Sequence, residues 1–150
     1  MKPAFTVSGR IARPVHEVFE AVADPAQLSG YFTTGGAVGR IEPGTTVTWD
    51  FADFPGAFPV EVVEVEADAK IVLRWGSSED GAQGSKTEVT MTFADTGDGR
   101  TLVTISECGW SESNAGFKAS YGNCAGWSQM LCAMKAWVEH GLNIRQGMYK

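Results

Sequence analysis

Two carboxylates stand where an alternating strand pattern would turn them inward. Val103, Ile105 and Glu107 share one parity in a run of alternating apolar and polar residues, and Trp49, Phe51 and Asp53 do the same earlier in the chain. Successive strand side chains point to opposite faces, so each acid extends the face of its apolar neighbours, provided no bulge intervenes. A carboxyl group desolvated among aromatic rings can serve as a general acid or base, or as an anchor for a ligand hydroxyl or amine. Glu107 is therefore the candidate for proton-transfer chemistry of the cyclase or dehydratase type. On this reading Glu107→Gln is expected to change ligand affinity with little loss of stability. The alternative is that both acids lie at frayed strand ends in water.

Other chemistries find less support. The three cysteines, Cys108, Cys124 and Cys132, lack CxxC spacing, and with only His16 and His140 to add imidazoles no metal site and no cofactor are expected. All three cysteines are expected to be reduced. No Gly-x-Ser-x-Gly elbow is present, and neither histidine has an evident Ser or Cys partner. His140, just before Gly141, suits a favourable charge at a helix C-terminus better than catalysis. Gly97-Asp98-Gly99 is a turn signal, not a phosphate cradle.

The elements that must position these residues follow from periodicity. Phe5, Val7 and Ile11 alternate with polar residues, which marks a first strand, with a bend expected at Gly9. Pro14 suits a first helical turn, and Val15, Val18, Phe19 and Val22 follow at helical spacing up to Asp24-Pro25. A brief helical turn is expected over Pro25 to Leu28. Strands follow at Val38 to Ile41, Val47 to Phe51, Val60 to Val65, Ile71 to Trp75, Val89 to Phe93 and Val103 to Ile105. They are separated by Pro43-Gly44, Pro55-Gly56, Asp68-Ala69, the polar stretch Ser77 to Ser85, and Gly97 to Gly99. Such short connections pair strands antiparallel, giving a six-strand meander in a sheet of about seven strands. Tyr121 to Gly141 then reads as one long apolar helix.

That helix carries Trp127, Met130, Leu131, Met134, Trp137 and Val138, too apolar for water, so it must lie against the sheet. The facing side of the sheet would present Phe5, Val7, Trp49, Phe51, Leu73, Trp75, Met91, Phe93, Val103 and Ile105. Such a seam is either a packed core or the wall of a pocket of roughly 300 to 1,000 Å³. Methionine adapts to irregular ligands as well as to irregular gaps. The candidate ligand-contacting residues are Phe32, Trp49, Phe51, Trp75, Met91, Phe93, Glu107, Trp110, Trp127, Met130, Leu131 and Met134. Tyr31 and Phe32 either gate the cavity or staple the short helix to the sheet. Gly109 to Asn123, rich in Gly, Ser and Asn, is the candidate lid, with Trp110 and Phe117 as its apolar contacts.

The order strand, helix, short helix, six strands, long helix resembles the helix-grip fold of the START-related SRPBCC superfamily. Within it, Ile11-Ala12-Arg13-Pro14-Val15-His16-Glu17-Val18-Phe19 is similar to the opening of the domain related to the activator of the heat-shock-protein-ninety ATPase. Asp24-Pro25, Leu28, the Gly44 turn, and Gly126-Trp127 with Leu131 fit the same pattern. The resemblance spans nearly the whole chain and implies an α+β fold, a curved antiparallel sheet wrapped around the closing helix. It also implies an internal cavity that in many relatives holds an apolar or amphipathic molecule.

A length of 150 residues suits one hydrophobic core, so a single domain is expected. The formal net charge of -6, with Lys and Arg scattered, disfavours nucleic acid and anionic membrane as partners. Glu61, Glu64, Glu66 and Asp68 read as a solvated acidic face. No apolar signal core or bilayer-length segment is evident, and the cytoplasm is the expected location. The function expected is binding of a small apolar or amphipathic molecule, with no defined reaction. The alternatives are a pocket enzyme acting through Glu107 and a chaperone-associated accessory protein, and a homodimer is a further expectation.

Overall fold

The computed structural model describes residues 1–150 as an α+β arrangement: seven antiparallel strands curved around one long helix. In chain order the elements are β1 (Ala4–Ile11), α1 (Val15–Ala23), α2 (Pro25–Tyr31), β2 (Gly36–Val38), β3 (Thr46–Phe51), β4 (Phe54–Glu66), β5 (Lys70–Gly76), β6 (Lys86–Asp95), β7 (Thr101–Cys108) and α3 (Asn114–His140). The sheet order is β1-β7-β6-β5-β4-β3-β2, so β2 to β7 form the expected meander and β1 closes against β7. Val7 lies opposite Ile105, Ile105 opposite Met91, and Met91 opposite Ile71, which puts these apolar side chains on one face in register. Val60, Leu73, Val89, Met91 and Ile105 join Val18, Val22, Met130 and Met134 in one buried cluster between sheet and helices. No helix is long and apolar enough to cross a membrane.

Several local expectations are corrected. The strand expected over Val38 to Ile41 is instead Gly36–Val38, because Gly39 at φ 97° breaks the extended run. Ile41 then leaves the sheet, buries its side chain, and donates its backbone N–H to the Ala23 carbonyl at 3.1 Å. The second helix is longer than one turn, since the Asp24 side chain caps it by accepting from Ala26 N–H at 2.9 Å and Pro25 occupies its first turn. No bend appears at Gly9, which pairs with Val103 inside an unbroken ladder. A register shift does intervene between Trp49 and Phe51, where Phe51 faces Phe54 across the hairpin.

The largest correction concerns the candidate lid. Most of Gly109 to Asn123 is helix: α3 begins at Asn114, where Ser113 accepts a hydrogen bond from the backbone N–H of Gly116 at 3.0 Å. Ser111, its backbone N–H donated to Glu79 at 3.0 Å, ties this corner to the β5–β6 connection. Trp110 makes no lid contact. It is buried and stacked on Phe5 with ring centroids 5.8 Å apart.

Candidate functional site

Along the seam, one end is filled and the other is hollow. Around the C-terminal half of α3, α1 and α2 fill the space: Phe19 meets Phe93 edge-on at 5.5 Å and Tyr31 stacks on Trp137 at 6.4 Å. Around the N-terminal half, where no second layer covers the sheet, a cavity of about 400 Å³ opens. Phe32, Phe51, Trp75 and Trp127 wall it, with Asn123, Gly126 and Gln129 from α3 and Phe54 from the β3–β4 hairpin. A second, wider groove of about 750 Å³ shares Phe51, Phe54, Trp75 and Asn123 with it and runs towards the Ser77–Ser85 connection.

The aromatic walls brace one another. Phe32 meets Phe51 at 5.0 Å and Trp127 at 5.4 Å, Trp127 meets Trp75 at 5.4 Å, and Trp49 stands edge-on behind Phe32 and Trp75. Beneath them sits Glu107, only 1% exposed. Its Oε1 accepts from Trp75 Nε1–H and Thr87 Oγ1–H, each at 2.7 Å, and from Asn123 Nδ2–H at 3.0 Å. Its Oε2 accepts from Trp127 Nε1–H at 2.9 Å and from Asn123 at 3.2 Å. The inward parity read from Val103 and Ile105 therefore holds, and the frayed-end alternative does not. The chemistry differs from the expectation, however. With its oxygens occupied by donors, Glu107 has no lone pair directed at the cavity, and it acts as the bracket that fixes both indoles and the Asn123 amide. Glu107→Gln cannot be neutral for stability in this setting, because it would set an N–H₂ group against existing donors.

Asp53 is also sequestered, by a different route. At the tip of the β3–β4 hairpin it turns to the segment after α3, where Arg145 donates from Nη1 at 2.6 Å and Nη2 at 3.0 Å. Both side chains are buried, at 5% and 6% exposure. The Arg145 guanidinium holds the Asp53 carboxyl below its ordinary range, and the cost of burial opposes this. The Arg145 guanidinium also lies 4.6 Å from the Tyr149 ring centroid and 5.6 Å from that of Phe51. The chain reverses at Gly141, in the left-handed conformation, so that Arg145 and Tyr149 line the same cavity as Gly126 and Gln129.

Among the candidate ligand-contacting residues, the structure brings Phe32, Phe51, Trp75 and Trp127 to the cavity surface and places Trp49 and Glu107 just behind it. Met91, Phe93, Met130 and Met134 lie in the closed core instead, Leu131 lies beside a shallow groove along β1, and Trp110 is remote. Tyr31 is a staple: it is fully buried, donates its hydroxyl to the Ala21 carbonyl at 3.0 Å, and has its phenol pKa raised by desolvation. Phe54, Asn123, Arg145 and Tyr149 escaped the sequence reading. The signal for Arg145 was the buried Asp53 needing a cation, and only the fold says which cation reaches it.

Residues 12–139 match the family model described as activator of Hsp90 ATPase homolog 1-like protein. The chain belongs to this family. No curated protein sequence matches this AHSA1-like chain significantly. Among solved structures it is similar to the protein SSP2350 from Staphylococcus saprophyticus, at 26% identity over 95% of this chain and 96% of that one, with a TM-score of 0.78. The Aha1 dimer from Colwellia psychrerythraea shares the fold at 17% identity, covering 92% and 97% of the two chains, with a TM-score of 0.74. DynU16, a putative protein in the dynemicin biosynthetic locus, shares it at 24% identity and a TM-score of 0.80. There 97% of the AHSA1-like chain spans 50% of the neighbour.

Proposed function

We propose that this AHSA1-like protein binds a small apolar or amphipathic molecule in the cavity between the N-terminal half of α3 and the sheet. The observation that carries the reading is a hollow of about 400 Å³ walled by Phe32, Phe51, Trp75 and Trp127, with its two indoles fixed in place by one buried carboxylate. Preorganised aromatic walls lose little freedom when a ligand arrives, which favours binding over collapse. The saturated coordination of Glu107 argues against an acid-base enzyme, since the carboxylate presents no free oxygen to a substrate.

Native mass spectrometry of the gently purified protein tests the reading, with an extra mass lost on denaturation as the expected result. A second test is titration with the neutral fluorescent probe N-phenyl-1-naphthylamine. Trp75→Ala, its fold checked by circular dichroism because the side chain also packs on the core and donates to Glu107, should weaken binding by about tenfold, on the order of 1.4 kcal/mol. Unchanged binding in this variant would remove the cavity from the proposal. Self-association is part of the same proposal, because exposed Phe54, Leu142, Ile144 and Tyr149 offer apolar surface around the hairpin and the segment after α3. The Colwellia psychrerythraea relative is a dimer in solution. Sedimentation velocity at micromolar concentration decides between dimer and monomer.

A further inference from the structure

We infer that the molecule taken by this cavity carries a positive charge, as an alkylated or protonated amine on an apolar body. This rests on the proposed binding function and adds the chemical class of the ligand. Glu107 lies buried directly behind the cavity wall. Its partners are two indoles, an amide and a hydroxyl, all neutral. An indole N–H can only donate. Asn123 Oδ1 is engaged by the Ser78 hydroxyl at 3.3 Å, which leaves its amide N–H₂ for Glu107. This is a shell built for an anion, and it supplies hydrogen bonds without a counter-charge.

The indoles that contact this carboxylate also wall the cavity. A carboxylate accepting an indole N–H enriches the ring's π-face in electron density, and Trp is already the best ring for a cation. The mouth shows the same preference with the chain's own cations: Arg145 lies over Tyr149 and Phe51, and Lys150 Nζ lies 4.8 Å over the Phe54 ring. Arg145 does not serve as the missing counter-charge, because its guanidinium charge is already paired with the Asp53 carboxylate through both Nη groups. An anionic ligand would meet the Glu107 charge across the rings, and a neutral one would leave it uncompensated. A cation resting on the indole faces answers it.

The test uses the full chain and three probes with the same apolar tail, octyltrimethylammonium, 1-octanol and octyl sulfate. Titration calorimetry at about 0.15 M salt screens the general attraction of an acidic protein for cations, the Debye length there being ~8 Å. The cation is expected to bind about tenfold more tightly than octanol, with octyl sulfate weakest. Its N-methyl protons should show nuclear Overhauser contacts to the Trp75 and Trp127 rings. In Glu107→Gln, its fold checked by circular dichroism, the advantage over octanol should disappear. The contacts measured on the unaltered protein keep the test decisive if that variant fails to fold. Octanol binding as tightly as the cation, contacts made by the terminal methyl instead of the N-methyl groups, or a cation advantage that survives in a folded Glu107→Gln would each overturn the inference and leave the binding function standing. No binding of any probe would overturn both.

Discussion

At Glu107 one carboxylate serves Trp75, Thr87, Asn123 and Trp127 at once. Such a bracket is worth most through what its loss leaves behind: buried N–H groups facing neither water nor an acceptor, at about 1–3 kcal/mol each. Glu107→Gln retains the shape but replaces an acceptor with a donor, so at least one partner is orphaned. We expect a loss of about 2 kcal/mol, seen as a fall in Tm of roughly 4–8 °C for a chain of this size. An unchanged Tm in thermal unfolding would show that the four donors do not depend on the carboxylate. The sequence marked this residue by parity alone, and parity was enough to place it inward. It could not say that Thr87, on the neighbouring strand, and Asn123, on α3, would occupy its oxygens, because those contacts join positions 20 and 16 residues away along the chain.

At the scale of elements, two junctions hold the cavity's frame. The first is the start of α3. A Cβ on Gly116 would stand 2.1 Å from the Ser111 carbonyl oxygen, a backbone atom that cannot rotate away. Gly116→Ala should therefore displace the Ser111–Ser113 corner and destabilise the protein by about 1–3 kcal/mol, measurable by urea unfolding; a neutral result would mean the corner is soft. The second junction joins the β3–β4 hairpin to the segment after α3 through Asp53 and Arg145. The folded state lowers the Asp53 pKa from its ordinary value of 3.8. The stabilisation is thus fully present above that ordinary value and is lost as the pH falls through the folded one. Asp53→Asn should lower Tm at neutral pH, and the gap from the unaltered protein should hold steady down to about pH 5 and narrow below about pH 4. A gap independent of pH would show that the charge on Asp53 contributes nothing.

Over the whole molecule, one buried cluster links both helical ends of the seam to every strand from β3 to β7. We expect a single cooperative unit: near-ultraviolet circular dichroism, reporting the aromatic box, and far-ultraviolet circular dichroism, reporting sheet and helix, should give coincident urea transitions. Separate transitions would divide the chain into independent parts. The element order and the apolar face of the sheet were legible in the sequence because periods of two and 3.6 are local properties of the chain. The family resemblance was legible for a related reason, since Asp24-Pro25, the Gly44 turn and Gly126-Trp127 recur in order along it. The start of α3 was not legible, because Gly, Ser and Asn favour loops locally, and it is the cap by Ser113 and the anchoring of Ser111 on Glu79 that fix helix there. Nor could composition separate Met130 and Met134, which fill the core, from Trp75 and Trp127, which wall a hollow. The sequence by itself determined which residues face inward. Tertiary structure alone decided where the inward faces touch and where they stand apart, because that depends on α1 and α2 covering one end of α3 while the hairpin and the reversed C-terminal segment only rim the other.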